Sequence, residues 1–356
     1  THGMEGGMTT DPQVFHDGLI VVDGCTVCNH FQCSYADPQV YNVTRKYFQQ
    51  WVDGGVTMAH VTVATWEDAR ETLNNITRWN RVFRDHGDLV LLATSAADIR
   101  RAKAEGKTAV VMGFQNASPF ETDLGLVEVF HKLGVRFAQT TYNIQNHLGG
   151  SCYDPVDGGL TRFGTFVLGE MNRLGMVMDV SHVGERTALD CIEQSSAPVV
   201  ATHANPLLFF EHKRNKSDDL LRALAGCGGM IGLATYPALC PKDTALKDWC
   251  TMVARTVDIM GIDHVGIGTD YADGWTTEDA MTINMWRWSH EADYGAHTKD
   301  NPGWDSMPDW WPSPAAFSNL TAGLLDHGFA EDEVAAIMGG NWMRIVGTCF
   351  GSEGRT

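Results

Sequence analysis

Apolar residues along the chain gather in short β-branched runs separated by longer amphipathic stretches. The runs predict strands at Leu19–Asp23, Met58–Val63, Leu89–Ala93, Ala109–Phe114, Phe137–Thr141, Met176–Val180, Val199–Thr202, Met230–Ala234 and Val265–Gly268. Between most of them the pattern is helical, as at Asp123–Leu133 and Phe163–Leu174. Gly134 and Gly175 stand where a helix C-terminal stop belongs. Such alternation implies parallel strands with helical crossovers. No glycine-rich dinucleotide fingerprint follows the first strand, so a closed α/β barrel, (β/α)8 and TIM-like, fits better than an open sheet. Nine runs compete for eight places, and Leu89–Ala93 is expected to be the peripheral one.

A chain of 356 residues without a visible linker fits one barrel domain spanning 1–356. Residues 1–12 read as a tag remnant and flexible N-terminus. The compositional anomaly is Tyr271–Pro314. It holds Trp275, Trp286, Trp288, Trp304, Trp310 and Trp311, more than half of the chain's 11 tryptophans. It follows the last strand, where barrel loops build the active face, so it reads either as a packed loop or as an aromatic lid.

The net charge of −18 repels phosphate backbones and anionic lipid, which argues against nucleic-acid and membrane partners. No apolar run approaches the ~18 residues of a membrane span. No basic segment leads into an apolar one at the N-terminus, so no signal peptide is expected. Nine cysteines, an odd number scattered over a large chain, argue for a reducing compartment and a cytoplasmic location rather than a disulfide framework.

Candidate chemistry sits at strand ends. His182 follows Met176-Val-Met-Asp-Val-Ser, and His203 follows Val199-Val-Ala-Thr. Neighbouring barrel strands are ~4.8 Å apart, so side chains from two consecutive strand ends can converge on one ion. Asp270 closes His264-Val-Gly-Ile-Gly-Thr-Asp, where a carboxylate can ligate a metal or move a proton. Each alone is more often a structural cap; together they point to a site.

Several longer motifs carry a resemblance. Phe137-Ala-Gln-Thr-Thr-Tyr-Asn, Gly159-Leu-Thr-Arg-Phe-Gly, Glu170-Met-Asn-Arg-Leu-Gly-Met-Val-Met-Asp-Val-Ser-His-Val-Gly and Ala197-Pro-Val-Val-Ala-Thr-His-Ala-Asn-Pro resemble the membrane (renal) dipeptidase family. So do Lys213-Arg-Asn-Lys-Ser-Asp-Asp, His264-Val-Gly-Ile-Gly-Thr-Asp and Gly339-Gly-Asn-Trp-Met-Arg, in order from about Asp17 to Val346. The resemblance implies a barrel of the amidohydrolase type, usually a homodimer, with two zinc ions bridged by a glutamate and dipeptides as substrates. It makes His182 and His203 ligands of one zinc and Asp270 the acid/base carboxylate. It makes Arg214 the clamp for the substrate carboxylate, with Tyr236 and Asn143 beside the site. Read from its neighbours alone, Arg214 belongs to a charged run, Lys213 to Lys216, of the kind that normally faces solvent.

The chain departs from the family at the other zinc. Where the family has Asp-Gly-His-x-Asp, this chain has Asp23-Gly24-Cys25-Thr26-Val27. Where the family's bridging glutamate stands, the run is Gly113-Phe114-Gln115-Asn116. A neutral amide brings no charge to offset two dications. One divalent ion on His182 and His203 is therefore expected, with Cys25, Asp270 and Gln115 as further candidate ligands. Zinc fits hydrolysis of an amide bond in a small carboxylated substrate; iron or copper on Cys/His/His would fit redox chemistry; a pocket that only binds is the third outcome. Cys25 reads equally as a plain buried residue. Cys28, His30 and Cys33 in the following loop offer a weaker substitute set.

Overall fold

The structure, a computed structural model, describes residues 11–27, 40–272 and 307–350. Ten strands make one parallel sheet: β1 Val21–Val27, β2 Val56–Ala64, β3 Val90–Leu92, β4 Thr108–Phe114, β5 Val135–Gln139, β6 Val177–Asp179, β7 Val199–Ala204, β8 Met230–Leu233, β9 Val265–Ile267 and β10 Tyr271–Ala272. The order is β10-β1-β2-β4-β5-β6-β7-β8-β9. β9 pairs with β8, and β10, only Gly268-Thr269-Asp270 further on, pairs with β1. The Asp270 amide donates to the Cys25 carbonyl at 2.9 Å within that step, so the ring closes. The last barrel strand is thus β9 and β10 in series, interrupted where Asp270 takes φ 55°. β3 pairs only with the first half of β4, Val90 opposite Thr108, while β5 takes the second half. The peripheral strand is the one expected.

Two strand ends differ from the sequence reading. β1 runs on to Val27 and β7 to Ala204, so Cys25 and His203 lie inside their strands instead of just beyond them. Asp23-Gly24-Cys25 lacks β-branched residues, and pairing on both sides, with β2 and β10, supplies what propensity does not.

Twelve α-helices are described. They are α1 Pro12–Gly18, α2 Val40–Asp53, α3 Ala69–Asp85, α4 Ala96–Glu105, α5 Gly125–Lys132, α6 Arg162–Leu174, α7 Glu185–Gln194, α8 Asp218–Gly226, α9 Leu246–Met260, α10 Phe317–His327, α11 Glu331–Ala335 and α12 Asn341–Cys349. Local chemistry sets their ends. Asp68 and Glu71 form a reciprocal capping box at α3. Thr161 caps α6, and Gly175, at φ 77°, stops it.

The barrel interior is filled from below. Val22, Met58, Val111, Phe137, Val177, Val200 and Met230 pack around Trp342 of α12, which is fully buried. The Trp342 indole donates to the Ile267 carbonyl at 2.9 Å. A Cβ on Gly24 would stand 2.3 Å from its ring, and one on Gly266 2.8 Å. Glycine on β1 and β9 is what admits the indole to the barrel floor. With the floor sealed, the strand C-termini on the opposite face are where chemistry can be built.

Candidate metal centre

His182, in the loop after β6, and His203, on β7, bring their Nε2 atoms to 3.0 Å. Both rings are buried. The other ring nitrogens are spoken for. His182 Nδ1 lies 2.6 Å from Asn143 Oδ1, an acceptor, so Nδ1 carries the proton. His203 Nδ1 lies 2.8 Å from Thr202 Oγ1, whose hydrogen goes to Asp179 Oδ2 at 2.6 Å, so this Nδ1 also donates. Two bare Nε2 lone pairs therefore face each other. Protonating either ring would relieve the repulsion, but burial and the nearby Arg214 guanidinium hold both imidazoles well below the usual histidine range. A cation shared by the two lone pairs would relieve it instead. Two nitrogens bound to one tetrahedral zinc at ~2.05 Å stand ~3.3 Å apart, close to the observed spacing.

Further donors gather around His203, in a cluster that does not include His182. Cys25, His203 and Asp270 each offer an atom within 4.8 Å of the others. Cys25 and His203 are buried, and Asp270 keeps partial exposure to the barrel mouth. Loss of water raises the Asp270 carboxyl to about 7, opposed by Arg214 and helped by Asp179. Burial pushes the Cys25 thiol well above its ordinary value, with Asp270 adding to the effect. Imidazole, carboxylate and thiol donors make a set suited to zinc and its neighbours in the first transition row.

The groups behind His203 and Asp270 are ordered. Asp179 accepts from the Ser181 amide, the Ser181 hydroxyl, the Thr202 amide and the Thr202 hydroxyl. Asp23 plays the matching part below Asp270, accepting from the Thr269 amide and hydroxyl and from the Cys25 amide. Burial raises Asp23 to about 7 against those bonds. Tyr142 lies over the His182 ring with centroids 4.1 Å apart.

At the ends of β4 and β1 the side chains Gln115 and Val27 carry no charge. Gln115 Nε2 donates to Thr62 Oγ1 at 2.8 Å and lies 3.6 Å from the Cys25 sulfur. Val27 ends β1 as an apolar side chain. Arg214 is buried, contrary to a solvated charge run. Its Nε and Nη2 donate to the carbonyls of Ser181 and His203, and its Nη1 has no acceptor among the described residues. Tyr236 follows β8 on the same face and packs with Ala234 and Leu239.

Cys28, His30, Cys33 and most of the tryptophan-rich segment, 273–306, lie outside the described residues. Of that segment's tryptophans, Trp310 and Trp311 are described. Trp310 lies tilted against Trp249 of α9 with ring centroids 6.0 Å apart, and Trp311 meets Phe317 edge-on.

Asp179, Thr202, Tyr142 and His60 are parts of the site region that the sequence reading did not single out. Asp179 had a usable signal, an acidic residue inside an apolar strand. His60 had none. It lies within β2, stacks on Phe137, donates from Nδ1 to the Gly24 carbonyl at 2.6 Å and leaves Nε2 without a partner among the described residues.

The profile of the membrane dipeptidase family (peptidase family M19) matches residues 28–283. The dipeptidase tcpJ of Claviceps purpurea is 27% identical over 283 residues, covering 78% of this chain and 59% of its own length. Dipeptidase aclJ of Aspergillus oryzae is 27% identical over 290 residues, covering 79% and 62%. This chain thus spans about three-fifths of the length of these curated relatives. Among solved structures, an amidohydrolase from Pseudomonas aeruginosa superposes with a TM-score of 0.85 at 37% identity, covering 96% of this chain and 100% of that one. A metallopeptidase from Rhodobacter sphaeroides, liganded with a phosphinate mimic of the dipeptide L-Ala-D-Ala, shares the fold at a TM-score of 0.76 and 18% identity, covering 93% and 99%.

Proposed function

Because this chain belongs to the membrane dipeptidase family, we propose that it is a metal-dependent hydrolase of dipeptide-like substrates with a mononuclear centre. The observation that carries the reading is the pair of facing Nε2 lone pairs of His182 and His203. Their tautomers are fixed from behind, as ligating histidines require. Asp270 and Cys25 complete the ligand set. The uncharged Gln115, held on Thr62, brings no negative charge for a second ion and supports one ion rather than two. The chemistry such an ion supplies when bound is polarisation of a scissile carbonyl and acidification of water, and zinc suits it.

The chain's own residues supply the remainder. Arg214, positioned by two backbone carbonyls, offers Nη1 to the substrate carboxylate. Asp270, at the strand end beside His203, is the carboxylate that would accept a proton and return it to the leaving nitrogen. Asn143 orients His182, and Tyr236 walls the mouth beside β8.

The test is metal analysis of protein isolated without chelator, paired with hydrolysis of small dipeptides. About one zinc per chain, with activity lost on chelation and restored on zinc addition, is expected. Two fully occupied ions ~3.5 Å apart overturn the mononuclear centre. Protein that neither retains zinc nor hydrolyses any dipeptide overturns the reading as a whole, and tightly held copper or iron without hydrolysis points to redox chemistry.

A further inference from the structure

Lys216 is 2% exposed, yet among the described residues its ammonium makes a single hydrogen bond, to the Val183 carbonyl at 3.3 Å. No carboxylate of the described residues lies within ion-pairing distance of it. An ammonium has three donors and is costly to bury unpaired, so two donors are left for something else. Burial pulls the group down to about 8, with nearby Cys152 opposing and Arg214 assisting.

What Lys216 faces is a cavity of about 170 Å³ on the strand C-terminal side. Val183, Gly184 and Glu185 line it from the start of α7, and Ser151 and Cys152 from the loop after β5. Gly184 supplies no side-chain cap to the start of α7, which Glu185 brings to the cavity wall. Three carboxylates also reach the cavity, but each is held by its own donors. Asp154 takes the Ser151 amide, Asp157 takes the Thr187 amide and hydroxyl and the Gly159 amide, and Glu185 takes the Ser217 hydroxyl. They disfavour a dianion more than a monoanion.

The cavity is wired to the candidate metal centre. The Ser151 hydroxyl and the Cys152 amide both donate to the His182 carbonyl, at 2.7 and 3.2 Å. The Cys152 sulfur lies 4.0 Å from Asn143 Oδ1, the atom that orients His182.

We propose that this cavity is a subsite for a small monoanionic carboxylate, held by Lys216 beside the N-terminus of α7, one residue removed from His182. The carboxylate comes either from an acidic side chain on the substrate or from a free carboxylic acid. Only the choice between these sources rests on the proposed hydrolase activity.

The first experiment needs no turnover. The melting temperature of the protein is measured in acetate and in chloride at equal ionic strength, for the parent chain and for Lys216→Met. Met removes the charge and keeps the length, and relieving a buried, under-paired ammonium should leave the variant at least as stable. Acetate should raise the parent's melting temperature above its chloride value, and the increment should vanish in Lys216→Met. An increment that survives in the variant, or is absent from both, overturns the subsite. The second experiment compares kcat/KM for a dipeptide with an acidic side chain against a neutral one. A preference for the acidic substrate that falls about tenfold in Lys216→Met assigns the carboxylate to the substrate. An unchanged ratio, with the acetate effect lost, assigns it to a free acid.

Discussion

Asn143 sets its carboxamide oxygen 2.6 Å from Nδ1 of His182, and it does so from a left-handed backbone at φ 57°. That conformation is uncommon for a side chain other than glycine, and asparagine is among the few that adopt it readily. The contact keeps the ring's Nε2 lone pair turned toward His203. Replacing Asn143 with Ala should weaken metal binding by about 10- to 100-fold, the range for losing a partner behind a ligating histidine. Competition against a chelating dye measures it. Affinity equal to the parent's would mean that stacking by Tyr142 suffices to hold the ring.

The histidines themselves should be all or none. His182→Ala and His203→Ala each leave the other imidazole without its counterpart, and both variants should be isolated free of metal. Stoichiometry unchanged in both would falsify their assignment as ligands.

Cys25 tests the make-up of the rest of the shell. With cobalt or copper bound, the parent should show a thiolate-to-metal charge-transfer band, and Cys25→Ser should lose it together with a large part of the affinity. If the serine variant keeps the parent's spectrum and affinity, the ion rests on His182, His203 and Asp270 alone.

Much of this was legible beforehand, and the residues that were not share a cause. Val199-Val-Ala-Thr-His announced a strand with a histidine at its end because β-branched residues and a polar terminus are local features. The extension of β1 through Asp23-Gly24-Cys25 was not legible, since it depends on pairing with strands about 35 and 245 residues away. Lys216 was misleading for a related reason. A run of Lys213, Arg214 and Lys216 looks solvated, and only the packing of three loops shows that Arg214 and Lys216 are buried. The partners of Asn143 and Thr202 likewise follow from the approach of separate strands, which spacing along one chain does not encode.

Stability should depend on pH through His16. This buried ring anchors α1. Its Nε2 donates to the Gly54 carbonyl at 3.0 Å, and its Nδ1 then accepts from the Thr321 hydroxyl of α10 at 2.7 Å. Burial lowers its pKa from 6.5, and the unfolded chain therefore binds the proton first as pH falls. The stability it contributes is complete above about pH 6.5 and is lost as pH drops from there toward the lowered folded value. Urea midpoints measured from pH 7.5 to 5 should fall for the parent and fall less steeply for His16→Gln. Parallel curves would remove His16 from the acid response.

Gly24 makes a steric prediction. Alanine there would place its Cβ 2.3 Å from the Trp342 ring and 2.9 Å from the Ile267 carbonyl, neither of which is free to move. Gly24→Ala should lose about 1–3 kcal/mol, as over-packed cores do, read as a lower denaturation midpoint at unchanged slope.

The same indole has a bearing on traffic. With Trp342 closing the bottom of the ring from α12, the barrel is a cup rather than a tube. Whatever reaches His182, His203 and Asp270 must enter past the strand C-termini, and what leaves must go back the same way. One doorway for both directions means that a departing product and an arriving substrate exclude each other. Inhibition by product should therefore be competitive with substrate, and a chain cut before α12 would open a second exit through its own floor.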